Sequence, residues 1–414
     1  MTGFIPKVLS QHVEEAAFNW LIRDIGVRAP HYKLWELSRH DNRLDAHLDG
    51  LVIAGDHGWQ FALEELDAHP EPGETFAAAY VAFVGGNQAR IARILKAAAA
   101  DRANARAAAS ALGWLADEQT AADHALQLIH SDVAVARLIG VAAAAIRRLM
   151  PGPVLSKALT DKDPNVIARG ARAVGEFGAT GFAPTLRPML GSKDLPTRFW
   201  AAWSLALAAG DSSAVAELRT VALTEKQFRR RAVDMAVRRG DLRTTKGWLS
   251  GLEATAGGRR LVLQALGALG DPDAVPRLLD AMKDPPVARV AGEAFSFITG
   301  VHISYDELEA EPPKDFQSGP TEDPADEDVA MDPDGNLYWP DPAKCQKWWA
   351  KNQARFAAGT RHLCGRPMTP ESLRDVLKNG YQRQRAAAAL ELAIREPGKP
   401  LFEVRAPGFR QHVP

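Results

Sequence analysis

Glycine returns about every thirty residues through the middle of this 414-residue chain, at Gly178, Gly210, Gly240, Gly270 and Gly300, and Asp211, Asp241 and Asp271 follow the three middle ones. A fixed period in the range of about 20–50 residues marks a stacked array, in which each small unit buries its apolar face against its neighbours. Eight positions after each glycine stands an apolar residue: Leu186, Leu218, Trp248, Leu278 and Leu308. Arginine recurs once per unit, at Arg106, Arg137, Arg169, Arg198, Arg231, Arg260 and Arg289. Asp101, Asp132, Asp163, Asp194 and Asp284 precede five of these by four to six positions. They are placed to cap a helix and to reach an arginine of their own or the next unit, as a structural ladder.

Within a unit the apolar positions keep helical spacing, as in Val166, Gly170, Ala173 and Phe177 or Val287, Val290, Ala294 and Phe297, and no strand-like alternation competes. Each unit therefore reads as two short helices, and Ala and Gly on the inner faces let neighbouring pairs approach closely. The expected fold is all-α: an α-solenoid of about seven helix pairs over residues 101–300. Residues 1–100 leave the period, yet Val13, Ala16, Ala17, Trp20 and Leu21, then Leu44, Leu48 and Leu51, form apolar stripes. They predict an N-terminal helical cap.

After residue 300 the charge changes abruptly. Residues 301–341 hold thirteen acidic side chains against Lys314, and residues 342–414 hold fourteen Lys and Arg against five Asp and Glu. The first stretch reads as an acidic linker and the second as a basic, mostly helical C-terminal region. The simplest consequence is an acidic strap lying on that tail or on basic grooves of the array. The whole chain carries a formal charge of −1, so it has no long-range field to gather nucleic acid or anionic lipid.

Motifs for chemistry are missing. Cys345 and Cys364 cannot form a metal half-site of the CxxC kind, and HExxH, GxSxG and GxxxxGK[ST] do not occur. Asp332-Pro-Asp334-Gly335-Asn336 has part of a calcium loop, but the register that puts Gly335 sixth puts Ala330 at the first ligand position, so a turn is expected. The neighbouring pairs Asp56-His57 and His40-Asp41 suit surface or capping roles. We expect no enzyme, no cofactor and no metal. Met1 to Trp20 contains Glu14 and Glu15, and the longest apolar run, Phe76 to Val84, is far short of the roughly 18 residues that cross a bilayer. A cytoplasmic protein without membrane insertion is expected.

Candidate protein-binding residues are Trp200 and Trp203, three apart on one helix face, with Arg230 and Arg238 beside them in sequence order and Trp348 and Trp349 next to the basic tail. The last two are adjacent and cannot both face one core. Basic clusters at Arg147-Arg148, Arg229–Arg231, Arg238-Arg239 and Arg259-Arg260 offer a nucleic-acid groove as a competing use, against the neutral overall charge.

The stretches DPNVIARGARAVGEFG from Asp163, GDPDAVPRLLDAMKD from Gly270 and PPVARVAGEAF from Pro285 resemble HEAT-like repeat proteins of the short, Ala-rich bacterial type. Outside the array, EEAAFNWLIRD from Glu14, RLDAHLDGLVIAG from Arg43, NLYWPDPAKCQKWWAKN from Asn336 and RHLCGRPMT from Arg361 resemble a bacterial family associated with gene neighbourhoods of type VI secretion systems. The resemblance implies a non-catalytic scaffold, adaptor or chaperone that grips a secretion effector or spike component, or an immunity protein for such an effector. HEAT-like analogy adds two other classes, a bilin lyase-like enzyme and a nucleic-acid-binding protein. No residue receives a role from these resemblances.

Overall fold

A computed structural model describes residues 5–149, 152–314, 316–323, 325, 327 and 329–412, with positions 242 and 243 described by backbone alone. The fold is all-α, a HEAT-like arrangement of helix pairs, and it divides into two compact units. One comprises Met1–Arg28, Tyr32–Ala209 and Glu396–Pro414; the other comprises Ala29–His31 and Gly210–Arg395.

In the first unit the helices Pro72–Gly85, Arg102–Trp114, Ala134–Arg147, Pro164–Phe177 and Leu195–Ala209 pack each on the next, and Gln88–Ala100, Glu118–Ile129 and Gly152–Leu159 pair with members of that row. The stack does not start at residue 101 as the period suggested. Pro6–Gly26 packs on Leu34–Ile53, Asp56–Ala68 and Pro72–Gly85, and one continuous core runs from Val13 through Phe76 and Leu112 to Val166. Trp20 stacks on Phe76 at 5.0 Å, and Phe76 meets Trp114 edge-on at 5.8 Å. The first hundred residues are thus part of the stack with a different loop spacing. The first helix, Pro6–Gly26, does not present a purely polar outer face, since Phe18 and Ile25 are exposed on it.

The second unit repeats the plan, with Arg229–Arg239, Gly258–Leu269 and Pro285–Thr299 packed in a row and Ser212–Thr224, Leu242–Glu253 and Val275–Ala281 paired to them. The periodic glycines end the second helix of a pair: Gly178, Gly270 and Gly300 are left-handed C-caps, whereas Gly240 ends its helix in extended backbone. Each following aspartate opens the next helix, Asp211 accepting from the Ser213 and Ala214 amides and Asp241 from that of Thr244. Asp101 and Asp163 cap in the same way and Asp194 accepts from the Thr197 amide, but Asp284 makes no side-chain cap and Val133, not Asp132, is the cap residue of its helix.

The C-terminal region contains helices Pro342–Asn352, Pro370–Asn379 and Gln382–Arg395. It also contains a two-stranded hairpin, His362–Leu363 with Arg366–Pro367, which the sequence reading did not include. Cys364 and Gly365, both with positive φ, make its two-residue turn. No helix among the described residues is long and apolar enough to cross a membrane.

Candidate functional site

Arg260 lies on helix Gly258–Leu269 and Arg289 one repeat later on Pro285–Thr299. Both are met by the acidic segment between the array and the tail. The Arg260 guanidinium donates through both terminal nitrogens to the two Asp334 carboxylate oxygens, and Arg289 pairs with Asp332 at 2.7 Å. The expected turn is present: Asp332 accepts from the Asp334 amide at 2.9 Å through its side chain and from the Gly335 amide at 3.2 Å through its carbonyl. Arg289 is also enclosed by two rings, 4.7 Å from the Trp339 centroid and 5.5 Å from that of Phe316. Burial would raise the Asp332 carboxyl, but the hydrogen bond and charge of Arg289 outweigh it and hold the group below its ordinary value. Asp334, in a segment whose other described acids are largely exposed, is itself buried.

Arg230 is exposed and borders this face; packing around it and the like charge of Arg383 push its guanidinium below the ordinary arginine value. Arg383 in turn donates to Glu293 at 2.7 and 2.9 Å. The basic face of the second unit is therefore Arg230, Arg260, Arg289 and Arg383, with the acidic turn seated on part of it.

The other residues named from sequence occupy different surroundings. Trp200 and Trp203 are each 8% exposed and pack edge to face at 5.5 Å inside the first unit, where Arg172 covers Trp200 at 4.6 Å. These rings fill the space between helices and present no docking surface. Arg238 is 5% exposed, and its charge is spent on Glu391 at 3.0 Å and Asp234 at 2.9 Å. Trp348 meets Phe295 of the last repeat at 5.8 Å and Trp349 meets Phe356 of the C-terminal region at 5.2 Å, so the two half-buried rings face different surroundings.

The arginine series is held by several kinds of partner. Arg137 donates to Asp161 of the following repeat at 2.7 and 2.8 Å, as a ladder requires. Arg106 reaches back to Asp24 on the first helix, Arg169 pairs with Glu176 at 2.9 Å, and Arg198 donates to the Ser192 carbonyl. Arg231 is exposed. Among the arginines of the suggested nucleic-acid groove, Arg147 donates to the Leu115 carbonyl, Arg148 to the Leu401 carbonyl and Arg229 to those of Ala222 and Ala256, while Arg259 pairs with Asp284.

Sequence reasoning missed two buried clusters that fix the C-terminal chain. In the second unit Glu391 accepts from Arg238, from Arg361 at 2.6 Å and from Arg395. Burial pushes Glu391 upward, but the three guanidinium groups win and its carboxyl lies below the ordinary range. In the first unit the tail lies along the helix ends: the Leu401 amide donates to the Glu176 carbonyl, and Arg23 donates to the carbonyls of Arg405 and Ala406 while pairing with Asp41. Glu403, beside Arg405 and Arg148, is lowered to about 2 despite its burial, and Glu176 is lowered by Arg169 and Arg172.

These depressed carboxylates set the pH response. Each contributes stability that is complete above its unfolded value, near 4.5, and is lost as pH falls through its folded value, about 2 for Glu403. Melting temperature should therefore hold steady above about pH 5 and fall steeply between about pH 4.5 and 2. Thermal melts followed by circular dichroism check this, and a melting temperature unchanged down to pH 3 would contradict it. Cys345 and Cys364 are free thiols pushed up to about 12 by burial, so they stay protonated and weakly nucleophilic near neutrality. Among the described residues no group of three or more His, Cys, Asp or Glu side chains could hold a metal.

Residues 152–238 match a family model described as HEAT repeats. Among curated proteins nothing matches. Of solved structures, the X-ray structure of E. coli YibA is similar at 17% identity, covering 64% of this chain and 96% of its own, with a TM-score of 0.36, too loose a likeness for comparing sites.

Proposed function

We propose that this chain is a non-catalytic protein-binding scaffold that serves bacterial type VI secretion as an adaptor or chaperone for an effector or spike component. The observation that carries the binding part is the HEAT-like build of helix pairs, matched as HEAT repeats over residues 152–238. Such arrays offer long surfaces formed by many repeats, suited to holding another protein through spread shape and charge complementarity. The secretion context rests on the segments at both ends of the chain that resemble that family. An immunity protein for an effector is a variant of the same reading. The nucleic-acid reading is disfavoured because Arg147, Arg148, Arg229, Arg259 and Arg260 of its groove are bound to carbonyls and carboxylates of the chain itself.

Affinity capture with tagged protein from its source cells, at moderate salt, tests this. A secretion effector or spike protein recovered at near-equal stoichiometry is the expected outcome, and Arg230→Glu should weaken its recovery at least tenfold while leaving helical circular dichroism unchanged. Recovery of nucleic acid or a coloured small molecule in place of a protein would overturn the reading.

A further inference from the structure

We propose that the Arg260–Arg289 face of the second unit binds acidic extended segments of partner proteins, and that the chain's own Asp332–Gly335 turn occupies it as an intramolecular competitor. The biological use rests on the protein-binding reading above; the site stands on its own geometry.

Two arginines from successive repeats present guanidinium groups at a spacing set by helix packing, and one short turn satisfies both, Asp334 with a two-pronged pair to Arg260 and Asp332 with Arg289. The flanking rings of Trp339 and Phe316 close on Arg289, so recognition combines carboxylate with aromatic. This is how a charged peptide is read, with side chains of an irregular segment dropped onto a rigid helical face.

The turn's attachment to the rest of the chain permits exchange. Its segment is closed at the base, where the Ala310 amide donates to the Trp339 carbonyl at 2.9 Å, the Asp341 amide donates to the Leu308 carbonyl at 2.7 Å and Glu309 bridges to Pro340. A loop pinned at its base can leave the arginines without disturbing the helices on either side. Most of its described residues are exposed, Glu311, Glu322, Asp323 and Glu327 among them, so few apolar contacts oppose release. A tethered occupant competes at an effective concentration on the order of millimolar, so only a partner of good affinity or high valency displaces it.

The test uses the full chain with residues 311–338 replaced by a four-residue Gly-Ser linker, which takes Asp332, Asp334 and Phe316 away from Arg260 and Arg289, and a fluorescein-labelled peptide of residues 329–339. Fluorescence anisotropy at low salt should show the peptide binding this variant at least tenfold more tightly than the unaltered chain. Arg260→Ala in the same background, or Asp332→Asn with Asp334→Asn in the peptide, should each remove most of that binding. Asp334→Asn in the otherwise intact chain, which keeps the loop, should give an intermediate gain and covers the case in which the linker variant does not fold. Equal affinity for loop-replaced and intact chains, binding indifferent to the two aspartates, or no gain in Asp334→Asn would each overturn the proposal. Peptide binding without any captured protein would leave this site standing and sink the adaptor reading; capture without peptide binding would do the reverse.

Discussion

Replacing Glu391 with alanine should destabilise the second unit by about 3–5 kcal/mol, the range for breaking a buried ion pair from one side. The carboxylate is fully buried and receives Arg238, Arg361 and Arg395, of which Arg238 is almost as deeply enclosed. Its removal leaves guanidinium charge with too little water to solvate it. Arg361 keeps its bonds to the Leu269, Ala268 and Arg238 carbonyls, and Arg238 keeps Asp234, which holds the loss at the lower end of what three stranded charges would produce. Glu391→Gln retains acceptor and shape and should fall between the unaltered chain and Glu391→Ala. Adding Arg238→Met to Glu391→Ala should recover part of the loss, because the two substitutions share one network and are not additive. Urea unfolding followed by far-ultraviolet circular dichroism gives the values; a cost below about 1 kcal/mol for Glu391→Ala would mean that these arginines find other partners.

The second large effect separates two glycines that the sequence shows as equivalent. Gly210 and Gly270 both have left-handed backbone, with φ of +62° and +72°. A Cβ on Gly210 would meet nothing closer than the end of the Arg239 side chain at 3.4 Å, so Gly210→Ala should cost about 1–2 kcal/mol, the strain of that backbone alone. A Cβ on Gly270 would lie 2.3 Å from the His362 carbonyl oxygen, and the His362 amide donates to the Gly270 carbonyl at 2.7 Å. Gly270→Ala must push the hairpin off the helix end, and a loss of about 4 kcal/mol or more is expected, with faster proteolysis around Arg361. Equal losses for both variants would show that the hairpin contact contributes nothing.

Those glycines also show how far the sequence could be read. Their period and the aspartates after them located helix ends and caps, because a C-cap and an N-cap are local structures set by adjacent residues. The same spacing carried no sign that His362 or Lys399 would rest on Gly270 and Gly178, since contacts over such separations leave no periodic mark. Trp200 and Trp203 do share a helix face, but it is the face turned to Gly175, where a missing side chain admits the Trp203 ring. The signal that would have placed them inside was available: FWAAWSLALAA is apolar all round, and a helix without a polar face is buried on more than one side. Composition predicts an acidic strap but does not single out Asp332 and Asp334 as the acids that meet Arg289 and Arg260. Arg238 carries no local sign of burial, because its buried partner Glu391 stands 153 positions away.

The hairpin's seat on Gly270 and Gly300 has a bearing on how such a chain can change length. His362 rests on the first and Cys364-Gly365 on the second, so the short step from strand to turn bridges the ends of helices packed about 8–10 Å apart. An open array gains or loses a repeat at little cost, since each unit answers only to its neighbours. Here a duplicated or deleted repeat between Gly270 and Gly300 would leave the hairpin one helix spacing out of step, with the wrong carbonyls beneath it. Repeat number in this segment is tied to the length of the returning chain, and the two can change only together.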